Sequence, residues 1–178
     1  MALTKINNNT LSAITGLPAG IGGKILQVKS VTWDDAFSST SSDGTYATIT
    51  GATLAITPSA TSSKIFFQAM ITTGAQTYGQ YIKIQRGGSD ISGALGAVSG
   101  NRKATTGYSV GGTSDDAEMQ STYISYLDSP SSTNALTYTL QGSGRHTGSW
   151  TVNYPYTDTN ASYTGHSVST ITLMEIGA

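Results

Sequence analysis

The chain has 178 residues, a net charge of −1 and no cysteine. That length fits one domain of about 100–200 residues, and the absence of cysteine excludes a disulfide framework, a thiolate zinc site and a cysteine nucleophile. The nine Lys and Arg are scattered, with Arg102-Lys103 as the one basic pair, which argues against the clustered positive patch that nucleic-acid binding needs. Charged residues make up only 11%, against about a quarter in an ordinary domain. Ser and Thr fill the gap, and Thr suits a pleated surface better than Asp, Glu or Lys does. Low charge also makes close association of identical copies inexpensive. Disorder is the rival reading of so hydroxyl-rich a chain, and regular apolar alternation over most of its length argues against it.

Residues 1–22, MALTKINNNTLSAITGLPAGIG, differ from the rest. No basic start with a continuous apolar run marks a signal peptide, and nothing approaches the ~20 apolar residues of a membrane span. Leu3, Ile6, Leu11, Ile14 and Leu17 are too thinly spread to bury a face alone. Pro18, Gly20, Gly22 and Gly23 follow as breakers. The segment reads as an anchoring arm and hinge that orders against a partner; the alternative is a frayed terminus.

Lys24–Thr32 is the first expected strand, with Leu26 and Val28 on one face and Ile25 and Val31 on the other. Tyr46–Thr50 and Ala52–Thr57 read as two short strands separated by Gly51. Lys64–Thr73, KIFFQAMITT, is the most apolar stretch. Ile65, Phe67, Ala69 and Ile71 alternate onto one face, while Phe66 and Met70 fall on the other, so it reads as a central strand packed against a second sheet. Tyr78–Arg86 alternates cleanly, with Ile82 and Ile84 inward, and Gly87-Gly88 turns the chain. Asp90–Val98 is a weak strand, and Gly100–Glu118 is irregular, with a short strand around Tyr108 and Val110. Gln120–Leu127 and Asn134–Gln141 read as antiparallel neighbours across Asp128-Ser129-Pro130-Ser131. Trp150–Val152 is a short strand, Asn153–Gly165 a long loop, and Ser167–Ile176 the last strand, whose inward set the pattern leaves open. About eight to ten strands with no helical pattern predict an all-β fold, a two-sheet antiparallel β-sandwich or barrel over residues 23–178.

Four stretches carry a family resemblance: Gly23–Val28, Ile56–Ser59 with Ser62–Ile65, Tyr126–Pro130, and Ser169–Glu175. In order and spacing the chain resembles a recurring module of tail-fibre and other appendage proteins of bacteriophages, especially phages of aquatic bacteria. The resemblance implies a jelly-roll-like β-sandwich similar to the tumour-necrosis-factor and complement-C1q type, a homotrimer, and a role in the virion as a viral tail fibre protein that recognises the host. Related fibres often carry the module at the end of a long shaft. Here about 22 residues precede it, which favours a small subunit plugged by its arm into another virion protein.

The candidate site residues lie late in the chain. His146 and His166 flank a segment carrying Trp150, Tyr154, Tyr156, Asp158 and Tyr163. Flat amphipathic aromatics mixed with Ser, Gly and Asn suit a ligand, first of all a host glycan; equally, Tyr and Trp are core and interface residues. His146 and His166 are 20 apart, without the short spacing of structural zinc. Asp34-Asp35 and Asp115-Asp116-x-Glu118 lack the spacing of a calcium loop. No metal and no cofactor are therefore expected. Gly107-Tyr108-Ser109-Val110-Gly111 matches G-x-S-x-G, but a nucleophile elbow needs a helix after the serine and no helical pattern follows. A glycosidase needs a carboxylate pair, which among the ten acids could arise only in the fold or across a trimer interface, so the expectation is a non-enzymatic protein. Its outer loops, Ser99–Glu118 and Gly142–Gly165, would meet the host surface. The rivals are a capsid decoration or head-fibre protein and a glycan-degrading tail spike.

Overall fold

A computed structural model of the chain describes residues 24–75, 78–110 and 116–177. The expected arm, with Leu3, Ile6, Leu11, Ile14 and Leu17, lies outside the described residues. The described strands are β1 (Ile25–Trp33), β2 (Phe37–Ser39), β3 (Ala47–Ile56), β4 (Lys64–Ala75), β5 (Gln80–Arg86), β6 (Ser89–Asp90), β7 (Gly107–Ser109), β8 (Met119–Asp128), β9 (Leu136–Gly144), β10 (Trp150–Val152) and β11 (Ser169–Ile176). They form two antiparallel sheets packed face to face, the expected β-sandwich.

Sheet A is built on β4. One edge of β4 pairs with β11 over Lys64–Met70 and with β10 over Thr73–Ala75. Its other edge pairs with β8 along nearly its whole length. β1 extends the sheet beyond β11, and β2 extends it beyond β10. Sheet B runs β3-β9-β5-β6, with β7 also on β5. A strand alternates its side chains between faces, so each sheet turns one set inward. From sheet A these are Ile65, Phe67, Ala69, Ile71, Ile124, Ile171 and Leu173; from sheet B, Ile49, Ile56, Ile82, Ile84, Tyr138 and Leu140. The inward sets expected on β4 and β5 are those observed. On β11 the inward residues are Ile171 and Leu173, together with Ser169 and Glu175.

Four expectations are corrected. First, β8 and β9 are not neighbours: β8 lies on β4 in sheet A, whereas β9 lies between β3 and β5 in sheet B. The segment after Asp128 therefore crosses between sheets instead of closing a hairpin. Second, the two strands around Gly51 are one, β3, with an irregularity between Thr48 and Thr53. Gly51 has φ +83°, and a Cβ there would stand 2.7 Å from the Trp33 indole, so the ring fills the place of a side chain. Third, a bulge between Ile25 and Gln27 shifts the alternation of β1. Ile25 then shares the outward side with Val28, while Val31 faces inward together with Trp33. Fourth, Asp90–Val98 is mostly not strand: β6 is followed by a single 3-10 turn, Ser92–Ala94.

Two buried carboxylates close the sandwich at one end. Asp128 on β8 accepts from Tyr138 of β9, 2.6 Å, and from the Arg86 guanidinium of β5, so one side chain joins sheet A to two strands of sheet B. Burial, then the bond to Asp128, pushes the Tyr138 phenol upward. Glu175 on β11 accepts from the Ser59 backbone N–H and hydroxyl at 2.7 and 2.6 Å and from Gln27 at 2.6 Å. Burial works to raise its carboxyl, but the hydrogen bonds from Ser59 and Gln27 prevail and hold it at about 2.

A Tyr138→Phe substitution deprives buried Asp128 of a donor and is expected to cost about 1–3 kcal/mol in urea unfolding. For Glu175 the folded value lies below the ordinary 4.5. Its contribution is therefore present above that value and is lost as the pH falls toward 2. The melting temperature should drop across that window, and Glu175→Gln should flatten the drop.

Candidate functional site

The two outward faces differ in chemistry. On sheet A, cross-strand partners place whole rows of side chains on one surface. Val28, Met174, Phe66 and Leu127 form an apolar row across β1, β11, β4 and β8. Ile25 and Ile176 continue it at one end, beside Lys64. The next rows are Ser30, Thr172, Gln68 and Ser125, then Thr32, Thr170, Met70 and Tyr123. Lys64 is the only charged side chain in these rows. Tyr123 is 74% exposed and Val28 53%, so among the described residues nothing covers this surface.

The outward face of sheet B is polar and aromatic. Tyr81 pairs with Tyr108, ring centroids 5.5 Å apart. Lys83 lies 4.2 Å from the centre of the Tyr46 ring and bridges to Asp90 at 2.9 Å. Gln85 also donates to Asp90, and these contacts hold the Asp90 carboxyl below its usual range.

The candidate residues named from the sequence separate into three groups. Trp150 belongs to the core: it is 1% exposed, packs against Phe37 at 5.5 Å, and donates its indole N–H to the Ser41 carbonyl at 3.1 Å. Gly142 makes room for it, because a Cβ there would fall 2.3 Å from the ring. His146 sits in the loop between β9 and β10, its ring 5.3 Å from that of Tyr78. The Arg145 guanidinium lies 5.1 Å from the same tyrosine. Trp150 and His146 both line the recess beside them, one buried and one exposed. His166 forms the third group, with Asp158 at 3.0 Å and the Tyr154 ring at 6.2 Å. Tyr156 is half-buried and Tyr163 is exposed, neither among the ring contacts of either histidine.

Asn153 roots the loop that carries the third group. It is buried, with φ +68°. Its carboxamide N–H donates to the Trp33 and Asp35 carbonyls at 3.1 and 3.2 Å, and its side-chain oxygen accepts from Ser169 at 2.6 Å. Its backbone N–H donates to the Thr72 carbonyl, and its own carbonyl accepts from Ser167. One residue thus ties the loop to β1, β4 and β11. In the sequence Asn153 reads only as the start of a loop. In the sequence Arg145 is an isolated charge and Tyr78 reads as the first residue of a strand, so neither signals a site. Among the described residues no three His, Cys, Asp or Glu side chains converge as a metal site would require.

Comparison of the chain with protein-family models and with curated proteins returns no match. The separation of the aromatics has a thermodynamic signature. Trp150→Ala should cost about 3–5 kcal/mol, whereas Tyr163→Ala should stay within about 0.5 kcal/mol, both read from chemical unfolding.

Proposed function

We propose that this chain is a structural protein of a bacteriophage particle, a tail-fibre or short-appendage subunit that assembles as a homotrimer and contacts a glycan of the host surface. The observation that carries this reading is the outward face of sheet A: a broad, exposed surface with an apolar row and a single charge. Exposed apolar patches of this kind mark association surfaces. A face almost without charge offers nothing to steer a charged partner, yet copies of it can meet without bringing like charges together. Sheet B and the Tyr78 and His166 loops then remain outward for a ligand, and three copies multiply a weak contact into useful avidity. Attachment to a second virion protein is assigned to residues 1–22. No catalytic group enters the reading.

The protein is expected to sediment as a trimer at micromolar concentration. Val28→Glu with Leu127→Glu, both at exposed positions, should leave the fold intact by circular dichroism and shift the species to monomer. A wild-type chain that stays monomeric, or a double variant that stays trimeric, overturns the self-association. Immunogold labelling of particles and adhesion to host cells test the virion role. Labelling confined to the head favours the decoration alternative, and release of reducing sugar from host polysaccharide favours the spike.

A further inference from the structure

The chain entering β5 and the loop leaving β9 meet around a recess of about 50 Å³. Arg145 is anchored there by its backbone, whose N–H donates to the Gly79 carbonyl at 3.0 Å. Its guanidinium lies over the Tyr78 ring at 5.1 Å, and the His146 ring flanks the same tyrosine at 5.3 Å. His146 Nδ1 is engaged by the Thr147 hydroxyl at 3.0 Å. The ion pairs among the described residues are Lys83–Asp90, Arg86–Asp128 and His166–Asp158, so Arg145 has no carboxylate partner among them. Among the described residues Arg145 is also the only permanent cation lining the recess.

We propose that this recess binds a carboxylate-bearing saccharide of the uronic or sialic type, a proposal that rests on the host-glycan reading and names its ligand class. A guanidinium matches a carboxylate with paired N–H donors. Stacking on Tyr78 holds the fork in place before the ligand arrives, so less freedom is lost on binding. The exposed sides of Tyr78 and His146 offer flat apolar surface to the C–H face of a pyranose, and Thr147 and Ser149 are among the residues that line the same hollow. The volume is too small for a whole sugar ring, so a terminal residue enters by its carboxylate edge and lies along the aromatics. One permanent cation fits one carboxylate and not a polyanion, which sets nucleic acid aside.

The test is NMR titration of the intact protein with D-glucuronate, D-glucose and acetate at low salt. Glucuronate should shift the Arg145–Ser149 amides at millimolar concentration, with glucose and acetate each about tenfold weaker. Arg145→Gln, at an exposed position, should weaken glucuronate about tenfold and erase its advantage over glucose. Equal affinity for glucose, equal affinity for acetate, or glucuronate binding that survives Arg145→Gln overturns the proposal. Adhesion to host cells that persists through such a result leaves the host-contact reading standing and removes only this ligand.

Discussion

A strand has two sides, and β4 can give only one of them to the core. Ile65, Phe67, Ala69 and Ile71 meet sheet B and are fully or almost fully buried. Period two then drives Phe66 and Met70 to the opposite surface. The register of β11, β1 and β8 against β4 aligns Met174, Val28 and Leu127 with Phe66 on that surface. The apolar outward row is thus a consequence of how the central strand is buried, and the two faces of sheet A are one pattern seen from both sides.

Burying that core encloses polar groups as well, and the buried carboxylates bring their own partners. Asp128 reaches across the layers to Tyr138 and Arg86, while Glu175 gathers the loop after β3. At the other end, Thr73 bonds to Gln80 at 3.0 Å and to Ser109 at 2.6 Å, again joining sheet A to sheet B. Buried polar groups are costly unless paired, so these contacts fix the alignment of the sheets more sharply than apolar packing can. A slip of either sheet would orphan a carboxylate.

The strands were legible where alternation was strong. Ile82 and Ile84 on β5, and the β4 set, were readable because a single period decided them. Partners were less legible. Gln120–Leu127 and Asn134–Gln141 look like a hairpin because they are close in sequence, but both belong to a fold whose pairings are mostly long-range. Bulges hide in the same way: an extra residue at Leu26 inverts the facing of Ile25, and composition does not mark it. The site was half-legible. His146 stands out as one of two histidines, but its company does not, because Tyr78 lies almost seventy residues earlier and meets it only through the pairing of β5 with β9. Trp150 carried the right residue type for a ligand surface, and the neighbouring glycine that draws it inward gave no sign in a chain with 21 glycines.

Asn153 bears on how such a protein could change over time. Its carboxamide and backbone are saturated by β1, β4 and β11, so the chain departs from the sandwich along a direction fixed by one residue. Beyond it, Asp158–Gly165 is bonded largely to itself, through Thr164 to the Thr159 and Ala161 carbonyls. The excursion is therefore mechanically separate from the strands that support it. Lineages could rewrite its tip, lengthen it or trade it for another, while the sandwich beneath keeps its geometry.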